Sequence, residues 1–149
     1  MGPPDKAPIG LAVSGAAKRI ARAFATALEA EGASEPVWLI LMALRRAPDS
    51  SQRAIAGTVG ITEATLTHHL NAMERAELVT RHRDPANRRV HVLALTAAGE
   101  ETFHRLRRAV IAFDRQLRHG IDDAQLDDFR ELLDQLVRNA TDQGEEETR

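Results

Sequence analysis

The sequence predicts a mainly α-helical chain with one small β-hairpin near its middle. Apolar residues recur at the spacing of one helix face over most of the chain. Two segments rich in β-branched residues flank a cluster of turn formers at residues 84–87. Two short helical patterns joined by a glycine-containing turn precede that hairpin. With 149 residues, the chain suits one compact domain that has a real core.

The composition excludes several function classes. Hydrophobic residues make up 43% and charged residues 28%, as in ordinary globular proteins, whereas aromatic residues make up only 3%. Because the chain has no cysteine, disulfides, thiolate zinc sites and cysteine nucleophiles are excluded. No apolar run reaches the length of a membrane span and the N-terminus lacks a secretion-signal layout, so we expect a cytoplasmic protein without membrane contact.

The first half of the chain predicts four helices. Residues 1–7 are rich in proline and are expected to be flexible, and a helix follows over residues 8–31. The run VWLILMAL, residues 37–44, predicts a central buried helix. A third helix, with Asp49 or Gln52 as predicted cap, ends at Gly60. The fourth begins after the predicted N-cap Thr62 and ends near Arg75.

The second half predicts a basic hairpin and two longer helices. Residues 78–83 and 89–95 are the predicted strands, with four arginines around the hairpin tip. A helix-turn-helix followed by such a hairpin is a winged helix. Thr96 is the predicted N-cap of a long helix, and Asp122 and Asp123 favour the start of the last one. The acidic residues 141–149 are expected to be disordered.

Charge is unevenly distributed along the chain, although the net charge is only −2. Residues 45–91 carry eight arginines against five carboxylates and include four histidines, whereas residues 120–149 carry three arginines against ten carboxylates. A basic segment attracts phosphates whatever the net charge of the whole chain. The alternative is that both segments are solvated surfaces of a mixed-charge protein.

The fourth helix presents two contrasting faces. Leu66, Leu70 and Met73 follow one helical stripe, and the opposite face carries small or polar side chains that predict contacts with a DNA major groove. Glu63 is expected to turn to solvent. Together with the basic residues of the third helix and the hairpin, the predicted DNA-binding residues are Thr62, Ala64, Thr65, Thr67, His68, Arg53, Arg81, Arg83, Arg88 and Arg89.

Three stretches resemble the multiple antibiotic resistance regulator (MarR) family: GITEATLTHHLNAMERAELV (60–79), RHRDPANRRVHV (81–92) and LALTAAG (93–99). The resemblance implies a homodimeric winged helix-turn-helix regulator, with residues 36–96 as the DNA-binding lobe and residues 8–35 and 97–140 as dimerisation helices. It implies a small-molecule pocket between these parts, and it makes Arg89 the first candidate for a DNA contact. The family commonly has aspartate where this chain has Asn87, and often arginine in the position of His68.

The residues themselves also favour a dimer. The first helix and the last two carry apolar stripes wider than a monomer of this size covers easily. A two-fold DNA reader also needs two-fold protein symmetry. The alternative is that these helices pack on one another within a single chain.

A ligand site is predicted around a histidine in the apolar stripe of the fourth helix. An imidazole within a largely apolar cavity fits an aromatic acid or a phenol, and the predicted ligand-binding residues are Trp38, Met42, His69, Phe24 and Phe103. The alternative is a core histidine bonded to a backbone carbonyl. Neither a cofactor nor a metal is expected, since His68 and His69 diverge on a helix and no HExxH motif occurs.

Together these features predict a sequence-specific regulator that binds a near-palindromic operator and is released by a small aromatic or phenolic effector. An enzyme is not expected, because the chain has no phosphate-binding glycine loop and no recognisable catalytic constellation. The alternative is a winged-helix protein that binds DNA architecturally or without responding to a ligand.

Overall fold

The computed structural model describes residues 7–142, in which six helices and a two-stranded antiparallel hairpin follow one another. The chain forms two compact units, of which the first ends at Phe113 and the second begins at Asp114. The elements are α1 (Ile9–Glu29), α2 (Glu35–Arg46), α3 (Gln52–Val59), α4 (Glu63–Arg75), β1 (Val79–Arg83), β2 (His91–Leu95), α5 (Ala97–Leu117) and α6 (Asp123–Thr141).

The central element of the first unit is α2, which confirms the helix predicted from its continuous apolar run. Pro36 lies in its first turn, where no backbone N–H is needed. Its buried side chains pack with single leucines of α1 and α5 and with apolar residues of the other elements. The buried residues of α2 are Trp38, Ile40, Leu41, Ala43 and Leu44.

The turn between α3 and α4 is built from two caps and one glycine. The Thr62 hydroxyl accepts the backbone N–H of Thr65 at 3.1 Å, as predicted, and Gly60 ends α3 at φ 77°. The predicted caps of α3 are wrong, because Ser51 accepts the N–H of Ala54 at 3.1 Å instead. Asp49 lies in the preceding turn at φ 57°, and Gln52 is already the first helical residue.

Both strands of the hairpin are attached to other parts of the first unit. Val79 pairs with Leu95 and Arg83 with His91 at the two ends of the ladder. On the outer side of β2, the N–H of Leu93 donates to the carbonyl of Ser50 at 3.1 Å, in the connection between α2 and α3. Because an isolated two-stranded hairpin is marginally stable, these attachments help to hold the wing in place.

A second attachment joins β1 to α4. The guanidinium of Arg81 donates to the carboxylate of Glu74 and, at 2.7 Å, to the side-chain oxygen of Asn71. The hydrogen bond from Arg81 is the main cause that lowers the pKa of Glu74. Helix α4 and the hairpin are therefore linked by a charge-assisted hydrogen bond.

The junction between the hairpin and α5 explains the LALTAAG stretch. The Thr96 hydroxyl accepts the N–H of Gly99 at 3.0 Å, which confirms the predicted cap, and it donates to the carbonyl of Glu77 at 2.5 Å. A Cβ at Gly99 would overlap the carbonyl oxygen of Leu78. This position therefore needs a glycine so that α5 can approach the connection between α4 and β1 closely.

The second unit contains α6 and the turn before it. Gly120 adopts φ 77°, and the side chains of Asp122 and Gln125 form a reciprocal capping box at the start of α6. The helix includes Thr141, which was expected to belong to the tail. The expected tail residues 143–149 and residues 1–6 of the expected flexible N-terminus lie outside the described part of the chain.

We expect Gly99→Ala to lower the free energy of unfolding by about 1–3 kcal/mol, because the added methyl group must displace the Leu78 carbonyl. Chemical denaturation followed by circular dichroism measures the change. The matched control is Gly57→Ala within α3, where an added Cβ meets nothing within 4 Å and stability should rise by roughly 0.5–1 kcal/mol. Equal effects of the two substitutions would contradict the close approach.

We expect Glu74→Gln to lower the free energy of unfolding at pH 7 by on the order of 0.5–1 kcal/mol. The folded pKa of Glu74 lies below the ordinary value of 4.5, so its contribution is complete above pH 4.5 and is lost as the pH falls through the folded value. The difference between wild type and variant should therefore shrink in acid. Glu101→Gln, on the exposed side of α5, is the control. A difference that stays constant from pH 7 to pH 3 would contradict the interaction.

Candidate nucleic-acid interface

Helix α4 buries one face and presents the other. Leu66 and Leu70 are fully buried, whereas Ala64, Thr65 and His68 are exposed on the opposite side. The outward residues are small or can donate and accept hydrogen bonds, which suits close approach to base edges. The structure therefore brings three of the predicted DNA-binding residues to one surface.

Two other predicted DNA-binding residues, the N-cap Thr62 and Thr67 of α4, have bonds within the protein. The Thr62 hydroxyl caps the helix. Thr67 is half-buried, accepts a hydrogen bond from Nε2 of Gln52 at 2.5 Å and donates to the carbonyl of Glu63 at 2.9 Å. The Thr67 side chain thus joins α3 to α4, and it lies beside the outward face.

The loop of the hairpin holds Arg88 and Arg89 on its exposed tip. The N–H of Asp84 donates to the carbonyl of Val90 at 2.9 Å, which closes the loop. The side chain of Asn87 accepts the backbone N–H of Arg89 at 3.2 Å. Asn87 therefore orders the loop backbone and leaves the Arg89 guanidinium to project.

The four arginines of the wing divide into two pairs. Arg81 is bonded to Glu74 and Asn71 of α4, and its side chain is only 17% exposed. Arg83 donates from Nη1 to the carbonyl of Arg88 at 3.0 Å. Arg81 and Arg83 thus make bonds within the lobe, although Arg83 is itself exposed, and Arg88 and Arg89 stand on the exposed tip.

A cleft of about 310 Å³ lies between the start of α3, the start of α4 and the end of the wing loop. Arg53 and Arg89 are among its walls, together with Glu63. Arg53 is exposed and stands in the first turn of α3, close to the helix end that attracts anions. The walls of the cleft thus combine two arginines with one carboxylate, and that Arg53 and Arg89 contact DNA stays a prediction.

The five predicted ligand-binding residues take part in several different side-chain contacts. The rings of Trp38 and Phe103 are stacked at 5.5 Å, whereas Phe24 packs against Phe113 with centroids 5.4 Å apart. Met42 is partly buried against the core. His69 is half-buried. The centroid of its ring lies 5.7 Å from that of the His68 ring, in an edge-to-face arrangement. That these residues bind a ligand stays a prediction.

Sequence reasoning missed the residues that hold the interface in shape, namely Gln52, Asn71 and Glu74. Their partners lie 15, 10 and 7 residues away along the chain. The spacing of Asn71 and Glu74 does place both on one side of α4. The sequence signal for these contacts was a pair of polar residues three positions apart on the helix, followed by a basic strand.

Within residues 7–142, no three histidine, aspartate or glutamate side chains come together in an arrangement that could hold a metal ion. No helix of that range combines the length and apolar character needed to cross a bilayer.

Known proteins resemble this chain both in sequence and in fold. The MarR family profile matches residues 34–91. A putative transcriptional regulatory protein for the hcr operon of Thauera aromatica is 26% identical over 108 residues, which are 72% of this chain and 65% of that protein. This chain thus covers less than two thirds of that relative's length.

Two solved structures share the fold at 26% identity. One is the transcriptional repressor CouR bound to a 23-mer DNA duplex, with a TM-score of 0.78 over 88% of this chain and 93% of CouR. The other is CouR from Rhodococcus jostii RHA1 bound to p-coumaroyl-CoA, with a TM-score of 0.70 over 86% and 90% of the two chains. The matched segment contains α2, α3, α4 and β1 in the order described above. Over residues 34–91 the chain is therefore similar to the MarR family, and its fold is similar to that of CouR.

Proposed function

We propose that this chain is a sequence-specific DNA-binding transcriptional regulator, a homodimeric repressor that leaves its operator when a small molecule binds. The observation that carries the proposal is the pairing of two exposed surfaces. One is the outward face of α4 with Thr65 and His68, and the other is the wing tip with Arg88 and Arg89. Both come from one lobe whose internal bonds fix their relative position.

In this proposal α4 enters the major groove. Thr65 and His68 offer hydroxyl and imidazole groups to base edges, and Ala64 allows the helix to approach closely. The wing tip then reaches the adjacent minor groove, where a narrow A·T-rich segment concentrates negative potential. Arg53 contacts the phosphate backbone between them.

The repressor function is supported by the solved complexes of CouR, one with DNA and one with p-coumaroyl-CoA. A ligand releases DNA when it binds more tightly to a conformation whose two lobes do not match the operator spacing. For this chain we propose a small aromatic or phenolic effector. Because its target is chromosomal DNA, we place the protein in the cytoplasm.

Dimerisation is supported by the apolar surface of the second unit. No residue of α6 is buried within the described chain, although the helix carries an apolar stripe. The exposed fractions are 55% for Phe129, 64% for Leu132 and 61% for Val137. Large apolar side chains in such a row mark an interface, and a second copy of this chain is the partner we propose.

The second candidate is a winged-helix protein that binds duplex DNA without reading its sequence. The exposed wing arginines suit that function as well, since phosphate contacts carry no sequence information. A specific reader prefers its operator to bulk DNA by roughly 10³-fold or more. Selection from a random duplex library, followed by competition with bulk DNA, separates the two candidates.

We expect Arg89→Ala to weaken operator binding and to flatten its dependence on salt, because one phosphate-facing cation is lost. The slope of log K against log salt should fall by about one for each phosphate contact removed. Fluorescence anisotropy on the selected operator, measured over a salt series, gives both quantities. Arg130→Ala, whose side chain pairs with Asp127 of the same helix, serves as the control. If both variants bind like wild type, the wing does not contribute to binding.

We expect Leu132→Asp to shift the chain from dimer to monomer in sedimentation equilibrium, since a charge in an apolar interface cannot be solvated. Operator affinity should fall with the loss of the second reading helix. Glu131→Asp on the same helix is the control and should remain dimeric. A wild-type chain that sediments as a monomer at micromolar concentration would contradict the proposed assembly.

A further inference from the structure

Helix α4 carries two carboxylates, and their surroundings are opposite. Glu74, near the end of the helix, is bonded to Arg81 of the hairpin. Glu63, the first residue of the helix, is exposed at the end that approaches DNA in the proposed function. No other acidic residue lies between them in the sequence. A carboxylate on a surface that meets phosphates weakens their binding, so Glu63 opposes the attraction of the basic wing.

Glu63 shares a cleft with two arginines. The cleft of about 310 Å³ lies between the start of α3, the start of α4 and the wing loop, and Arg53 and Arg89 line it together with Glu63. All three side chains are exposed. Within residues 7–142, no ion pair joins Glu63 to either arginine. A DNA strand placed against this cleft therefore meets one carboxylate together with two guanidinium groups.

The start of α4 is stable without a carboxylate in this cleft. The Thr62 hydroxyl already accepts the backbone N–H of Thr65 and caps the helix. Within the described part of the chain, the Glu63 carboxylate makes no hydrogen bond, whereas its backbone carbonyl accepts one from Thr67 at 2.9 Å. A carboxylate at a helix start does interact favourably with the backbone dipoles, as for Glu35 in the first turn of α2. That general benefit does not explain a position beside two arginines.

On duplex DNA of arbitrary sequence, binding depends on phosphate contacts. A strand that enters the cleft brings its phosphates close to Glu63 as well as to Arg53 and Arg89. Because like charges repel, the carboxylate offsets part of the attraction of the two arginines. This penalty applies to every DNA sequence that offers the carboxylate no hydrogen-bond donor.

One base edge offers such a donor. In the major groove, cytosine presents its exocyclic amino group, from which a carboxylate accepts a hydrogen bond. Adenine also presents an amino group, but its N7 acceptor lies beside that group and repels a carboxylate. The first residues of a helix that enters the groove are those that contact base edges, and Glu63 directly precedes the exposed residues Ala64 and Thr65. A cytosine within reach therefore compensates the carboxylate for its repulsion of the phosphates.

We propose that Glu63 is a specificity-determining residue, which weakens binding to duplex DNA in general and selects a cytosine amino group within the operator. The proposal rests on the proposed function, because it assumes that α4 enters the major groove. It also rests on the juxtaposition of Glu63 with Arg53 and Arg89 in one cleft. The arginines attract any duplex, and the carboxylate makes that attraction depend on the base sequence.

Glu63→Gln and the matched control Glu35→Gln test this role, since each removes one exposed carboxylate from the first position of a helix. Fluorescence anisotropy with a duplex of scrambled sequence measures the general affinity for DNA. Glu63→Gln should bind this duplex about two- to tenfold more tightly than wild type, because a repulsive charge is lost, whereas Glu35→Gln should bind it like wild type.

Selection of operators from a random duplex library measures the base preference. Wild type and Glu35→Gln should prefer cytosine at one position of each half-site by about fivefold or more over the other bases. Glu63→Gln should replace that cytosine by adenine, because a glutamine side chain pairs with N6 and N7 of adenine.

The proposed role of Glu63 is overturned if Glu63→Gln binds the scrambled duplex no more tightly than Glu35→Gln, or if both variants select the same operator. A wild-type chain that binds all duplexes equally would instead contradict the proposed function. In that case, tighter binding of Glu63→Gln to the scrambled duplex would still demonstrate the repulsion of phosphates by Glu63, so the two failures are distinguishable.

Discussion

The interface depends on the burial of one apolar stripe on α4. Leu66, Leu70 and Met73 are almost completely withdrawn from solvent and pack into the core built around α2. Because residues of a helix have fixed angular positions, this burial alone orients Thr65 and His68 outward. Burying the opposite face would require removing several leucine-sized side chains from the core, each worth about 1.5–3 kcal/mol, so the orientation is unambiguous.

The wing shows how one basic segment serves two purposes. Arg81 donates a hydrogen bond to Glu74 of α4, and Arg83 donates one to the backbone carbonyl of Arg88 in the loop. These two bonds stabilise the hairpin at both of its ends. Its outer arginines extend from a loop that is closed by backbone hydrogen bonds. A rigid base reduces the conformational entropy lost when the tip binds, which favours affinity without any additional contact. Charge count along the sequence does not distinguish these two purposes.

Local sequence signals predicted most of the fold, and the remaining features depend on tertiary contacts. The glycine turn at Gly60, the cap at Thr96 and the apolar run of α2 each identify an element within a few residues. The cap of α3 was misassigned because Asp49 and Ser51 are both good cap formers, and only the backbone conformation selects between them. The bond between Arg81 and Glu74 arises where separate elements meet, so periodicity could not predict it.

The most direct test of the central claim, that two copies of α4 and the wing read one duplex, is hydroxyl-radical and methylation footprinting on the selected operator. Two major-groove segments should be protected from methylation, with centres about one helical turn or a multiple of it apart, related by two-fold symmetry. Minor-groove protection should flank them on the outer sides, where the wings lie. A single protected segment, or uniform protection along the duplex, would show that two copies of α4 do not read one operator.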